Sequence, residues 1–115
     1  MYILNWNPED NRIEASFGGY VTNGEADVFA EEFRDLILDL RDNRFEAIID
    51  FAMVPRMDDR VLNAIKESRD VALFAGAGCV TVIARNEDES ANLTDERLQQ
   101  VLEGRERYVA FSLAA

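Results

Sequence analysis

The sequence predicts one α/β domain over residues 1–115, a mixed sheet of about five strands carrying three helices. Three observations lead there. Short apolar runs at strand spacing alternate along the chain with longer stretches whose apolar residues recur at helical spacing. Turn and capping residues fall at the junctions, giving the order ββαβαβαβ, in which helices return between strands. With 115 residues and 48% hydrophobic content, one core is feasible and two domains are not.

Tyr2 to Trp6 alternates as an edge strand, and Pro8-Glu9-Asp10-Asn11 supplies turn chemistry. Ile13, Ala15 and Phe17 alternate with Arg12, Glu14 and Ser16, a second strand with one buried face. Gly18-Gly19 loosens the backbone ahead of Tyr20 and Val21. Thr22 and Glu25 fit a capping box, so a helix begins near Thr22. Val28, Phe29, Phe33, Leu36, Ile37 and Leu40 form its apolar face, and Asp42-Asn43 ends it.

The next stretch, AIIDFAMVPRMDDRVLNAI from Ala47 to Ile65, reads as strand, crossing loop and helix start. The apolar run ends in Asp50, and Pro55 has no N–H to continue a ladder. Asp58 or Asp59 is the natural N-cap before Val61, Leu62 and Ile65. Met57 and Leu62 sit in hydrophobic-staple positions. The helix runs to about Leu73, with Val71 and Ala72 on its apolar side and Ser68 as a small contact. Gly76-Ala77-Gly78 precedes a strand instead of opening a helix, so it reads as a turn and not a dinucleotide loop. Cys79 to Ala84 is a continuous apolar run, expected to be a strand covered on both faces. A charged loop from Arg85 to Ser90 leads to a third helix. Thr94 caps it, Leu93 and Leu98 staple it, Val101 and Leu102 continue it, and Gly104 stops it. Tyr108 to Leu113 alternates as a last strand.

The composition narrows the chemistry. Formal net charge is −11, which repels phosphate backbones and anionic membrane surfaces and argues against nucleic acid or membrane as partners. There is no histidine, so the commonest general base and transition-metal ligand is missing. The single cysteine, Cys79, excludes an internal disulfide, suits a reducing cytoplasm and is expected to be a buried structural thiol. No apolar run is long enough to span a bilayer and the N-terminus reads as no charged-then-apolar leader, so a soluble cytoplasmic chain is expected. The acid groups Glu31-Glu32 and Glu87-Asp88-Glu89 lack the ligand spacing of a cation site and read as solvated surface. Asp58 and Asp59 stand at a helix N-terminus, which lowers both carboxylates instead of splitting them into an acid and a base. A non-enzyme without cofactor or metal is the resulting expectation.

Asp50, Val54, Met57, Asp58 and Leu62 carry a further pattern. Their arrangement resembles the STAS domain, the family of sulphate-transporter and anti-sigma-factor-antagonist domains, whose motif is roughly D-L-S-x-V-x-x-M-D-S-x-G-L. Phe51 stands where that family has Leu, Ala52 where it has Ser, and Val61 where it has Gly. Asp59 occupies the position of the serine that a partner kinase phosphorylates. The resemblance covers nearly the whole order of elements. It implies a regulatory protein-interaction domain in a partner-switching system, binding an anti-sigma factor, a switch kinase-like protein or other STAS domains, with a homodimer as a further possibility.

Pro55, Arg56, Met57, Asp58, Asp59, Arg60 and Asn63 are the expected partner surface, because backbone donors, a dipole end and charged side chains converge there. Arg60 is expected to face solvent. At position 59 an aspartate supplies one permanent negative charge in place of the roughly −1.5 to −2 of a phosphoserine, and no kinase can switch it. Two readings stay open for Asp59, a charge-locked switch or a helix-end residue alone. The alternative function is a small-molecule or lipid-binding domain of related architecture, with the apolar helix faces lining a cavity.

Overall fold

A computed structural model describes residues 1–40, 44–55 and 58–84, together with the backbone of residues 106–110. In chain order the elements are β1 (Tyr2–Asn7), β2 (Arg12–Gly18), α1 (Asn23–Leu40), β3 (Glu46–Met53), α2 (Asp59–Phe74), β4 (Val80–Ala84) and β5 (Glu106–Ala110). They form one mixed sheet in the order β1-β2-β3-β4-β5. β1 runs antiparallel to β2, and every later neighbour is parallel. The α/β class and the mixed sheet match the expectation. The third helix expected after Thr94 lies outside the described residues.

Strand order explains where the helices go. The crossovers β2-α1-β3 and β3-α2-β4 both step the same way across the sheet. Right-handed connections therefore put both helices on one face. Burial agrees: Ile13, Ala15 and Phe17 on β2, Ala47, Ile49 and Phe51 on β3, and Val80, Val82 and Ala84 on β4 are all buried. Their alternates, Glu14, Ile48, Asp50, Thr81 and Ile83, are half-buried on the opposite face. This corrects the expectation for Cys79 to Ala84. Its continuous apolar run does not mean two covered faces among the described residues, and Cys79 is half-buried, not buried.

β3 is also longer than the apolar pattern suggested. Asp50 does not end it, because Asp50 belongs to the open face and its carboxylate accepts the backbone N–H of Ala52 at 3.0 Å. The strand continues through buried Phe51 and Ala52 to Met53, and Pro55 follows.

α1 starts with the expected capping box. Thr22 Oγ1 accepts the Glu25 N–H at 3.1 Å, and Glu25 Oε1 accepts the Thr22 N–H at 3.5 Å. Ala26, Phe29, Phe33, Ile37 and Leu40 form its buried face. Val28 does not join them and is 49% exposed. Phe29 sits at the centre of an aromatic cluster, its ring centroid 4.6 Å from Phe17, 5.3 Å from Tyr2 and 5.5 Å from Phe33. The Tyr2 hydroxyl donates to the Glu32 carboxylate at 2.6 Å. Burial, and then the Glu32 hydrogen bond and charge, push that phenol up to about 12.

α2 buries Val61, Ala64, Ile65, Ser68, Ala72 and Leu73, and also Arg69, at 2% exposure. Leu62 and Val71 pack only partly. The helix stops where glycine stops it: Gly76, at φ +103°, lets its N–H reach Leu73 O at 3.1 Å and the Ala77 N–H reach Ala72 O at 3.0 Å. Gly76-Ala77-Gly78 is thus a helix stop followed by a turn. No described helix is long and apolar enough to cross a membrane.

Candidate functional site

The parallel strands β2, β3 and β4 all point their C-terminal ends toward the N-termini of α1 and α2. Those ends bring Thr22, Asn23, Asp27, Asp58, Asp59 and Arg60 to one pole of the molecule. Asp58 is the N-cap of α2: its backbone is extended and its Oδ1 accepts the Val61 N–H at 3.1 Å. Asp59 is the first helical residue. The choice the sequence left open therefore falls to Asp58.

Asp58 does a second job. With the Asn23 amide turned so that its nitrogen, not its oxygen, faces Asp58, the orientation that satisfies both groups, it donates to both carboxylate oxygens at 3.0 and 3.1 Å. The cap of α2 is thereby tied to the first turn of α1. Arg60 reinforces that tie, placing Nε 3.2 Å from Asp27 Oδ1 and Nη2 on Asp27 Oδ2. Arg60 is solvent-facing as expected, yet its guanidinium is already paired across the helices. Arg34 of α1 and Glu67 of α2 make a further exposed pair between them. Nearby, Glu25 is held below the usual carboxylate range, first by the Met1 ammonium 2.8 Å away and, against partial burial, by the Thr22 N–H.

Asp59 is different. It is exposed, and its carboxylate makes no hydrogen bond or ion pair with a described residue. Pro55 and Asn63 are exposed beside it. Arg56 and Met57 of the expected surface, and with Met57 the staple to Leu62, lie outside the described residues.

Two residues of this pole escaped the sequence reading. Met53, 61% exposed at the end of β3, pairs in register with Gly18, and Tyr20, two residues on from Gly18, is 69% exposed. A large side chain in a glycine-flanked loop was the available signal for Tyr20. Met53 lies one step past a buried pair in the strand, so its exposure follows from the sheet alternation only once the strand's length is known.

Separating the two aspartates is a direct experiment. Asp58→Ala removes the cap and the Asn23 bridge, so it is expected to cost about 1 kcal/mol, reaching ~2 kcal/mol at most. Asp59→Ala loses only a dipole interaction, about 0.3–1 kcal/mol. Urea unfolding midpoints of the two variants check the ranking; equal losses would remove Asp58 from its structural role.

At the opposite pole an open cleft of about 410 Å³ is lined by Asp10, Asn11, Arg44, Phe45, Glu46 and Gly78. It is not the cavity expected from the apolar helix faces. On α1 that face is packed into the core, with Phe29 and Phe33 fully buried. No three of the described His, Cys, Asp or Glu residues cluster so as to hold a metal ion. The chain matches no protein-family model, and no curated protein matches it.

Proposed function

We propose that this chain is a non-enzymatic regulatory protein-interaction domain, resembling an anti-sigma-factor antagonist of a partner-switching system, and that the α2 N-terminus is its docking pole. The observation that carries the reading is Asp59. It is an exposed charge in the first turn of a helix whose cap is already occupied, with no side-chain partner among the described residues. Met53, Tyr20 and Pro55 add exposed apolar surface at the same pole. Such a surface, apolar with a fixed charge at one edge, suits a protein partner: an anti-sigma factor, a switch kinase-like protein or another domain of the same kind.

NMR shift mapping with a confirmed partner tests the location. Shifts at Pro55, Asp59, Asn63 and the flanking Tyr20 and Met53 are expected; shifts confined to residues 94–104 would refute it. A phosphorylation assay tests the switch. The Asp59→Ser variant, incubated with a switch kinase from the same cell, is expected to take phosphate at position 59, whereas the unmodified chain takes none there. Ser68 is buried at 2% exposure and the Thr22 hydroxyl is engaged in the α1 cap, so label at either would relocate the switch.

The polar cleft near Arg44 favours a second reading, a small-molecule-binding domain. Native mass spectrometry separates the two, since a co-purifying small molecule supports only the second.

A further inference from the structure

β1 ends the sheet, and no described strand pairs with its outer side. Natural sheets protect such an edge with charged side chains, proline, a bulge or a covering element. β1 has the sequence YILNWN, with no charged side chain and no proline, in a chain that is 30% charged. Its register with β2 runs unbroken from Tyr2 to Asn7.

The hydrogen-bond phase of the edge can be read from one contact. Gly18 N–H donates to Met1 O at 2.9 Å and the Met1 nitrogen donates to Gly18 O at 3.2 Å, so Met1 and Gly18 form a hydrogen-bonded pair. Pairs alternate along an antiparallel ladder. Ile3, Asn5 and Asn7 therefore turn their backbone groups toward β2. Tyr2, Leu4 and Trp6 turn theirs outward, where no described residue meets them.

We propose that β1 pairs antiparallel with β1 of a second copy of this chain, with the twofold axis at Leu4, so that two sheets become one. In this register Leu4 faces Leu4 and Tyr2 faces Trp6, and every outward N–H and C=O of Tyr2, Leu4 and Trp6 finds a partner. Sliding two residues one way sets Tyr2 against Pro8, which has no N–H. Sliding the other way leaves Trp6 opposite no residue of the strand. On the open face Ile3, 61% exposed, lies opposite Asn5 of the partner copy. A second copy is favoured over a foreign strand by charge and by side-chain match. At net charge −11 two copies repel, and uncharged β1 is a segment where they meet without like charges directly opposed. The register also sets aromatic against aromatic, a favourable cross-strand pair.

The interface is independent of the α2 pole. Long-range repulsion still opposes it, and salt screens that repulsion. Sedimentation velocity on the full chain is therefore expected to show a monomer–dimer equilibrium that shifts toward dimer as protein or salt is raised. A monomer at every concentration and salt would overturn the proposal, as would a dimer weakened by salt. The register has its own test. Ile3 and Asn5 of two copies form a non-hydrogen-bonded pair with Cα atoms about 4.5 Å apart, within disulfide range. With Cys79→Ser as background, Ile3→Cys mixed with Asn5→Cys is expected to give a crosslinked dimer on oxidation, while each variant alone gives little. Crosslinking of either variant alone to the same extent as the mixture would overturn the register. Both positions are exposed, so folding of the variants is not in question.

Discussion

Phe29→Ala is expected to destabilise the fold by about 3–5 kcal/mol, the range for truncating a buried phenylalanine. Phe29 is fully buried and its ring meets Tyr2, Phe17 and Phe33, two of those contacts edge-on. Such pairs add to simple burial. A domain of this size has roughly 5–15 kcal/mol of stability in all, so the variant stands near the threshold of folding. The cluster joins β1, β2 and α1, and its loss loosens the edge strand as well as the helix. Val28→Ala is the control. Its neighbour in sequence points outward, and the change is expected to stay within about 0.5 kcal/mol. Urea unfolding of both variants, with unchanged m-values, checks the contrast. A loss below ~1 kcal/mol for Phe29→Ala would show that the cluster is not the centre of the core.

Asp59→Asn is expected to raise affinity for an anti-sigma-type partner tenfold or more, about 1.4 kcal/mol. The reason is electrostatic. If Asp59 imitates the phosphorylated state, its charge disfavours the complex that an unphosphorylated domain forms, and a charge buried at an interface without a partner is expensive. Asparagine keeps the size and removes the charge. Since Asp58 and not Asp59 holds the cap, fold stability changes by about 1 kcal/mol or less. A partner that presents arginines to Asp59 would reverse the sign, and the same substitution would then weaken binding. Calorimetry on a confirmed partner decides between them. An unchanged affinity leaves Asp59 as a helix-end residue and removes the charge-locked reading.

Element identity was largely legible because it depends on local chemistry. The Thr22–Glu25 capping box, the alternation of Ile13, Ala15 and Phe17, and the glycine turn at Gly76 each act within a few residues, and each stands where the sequence placed it. The start of α2 was legible for the same reason, as a proline, an acid pair and an apolar stripe in sequence. Reading failed where a side chain's surroundings come from elsewhere in the chain. Val28 satisfies the helical period of α1 but points away from the sheet. Asp50 resembles a strand terminator yet sits in the middle of one, because the open face tolerates it.

Sequence by itself determined the α/β class, the order of the described elements, the capping box of α1 and the acid pair at the start of α2, since periodicity and capping are properties of neighbouring residues. Only the tertiary structure decided which aspartate is committed. Asn23 and Asp27 come from α1, and their contacts with Asp58 and Arg60 exist because right-handed crossovers set both helices on one face with their N-termini at one pole. That leaves the Asp59 side chain without a partner among the described residues. The same packing decided that β1, uncharged in sequence, lies at the rim with the backbone groups of Tyr2, Leu4 and Trp6 turned outward. Strand order and hydrogen-bond phase are set by long-range pairing, which no local pattern encodes.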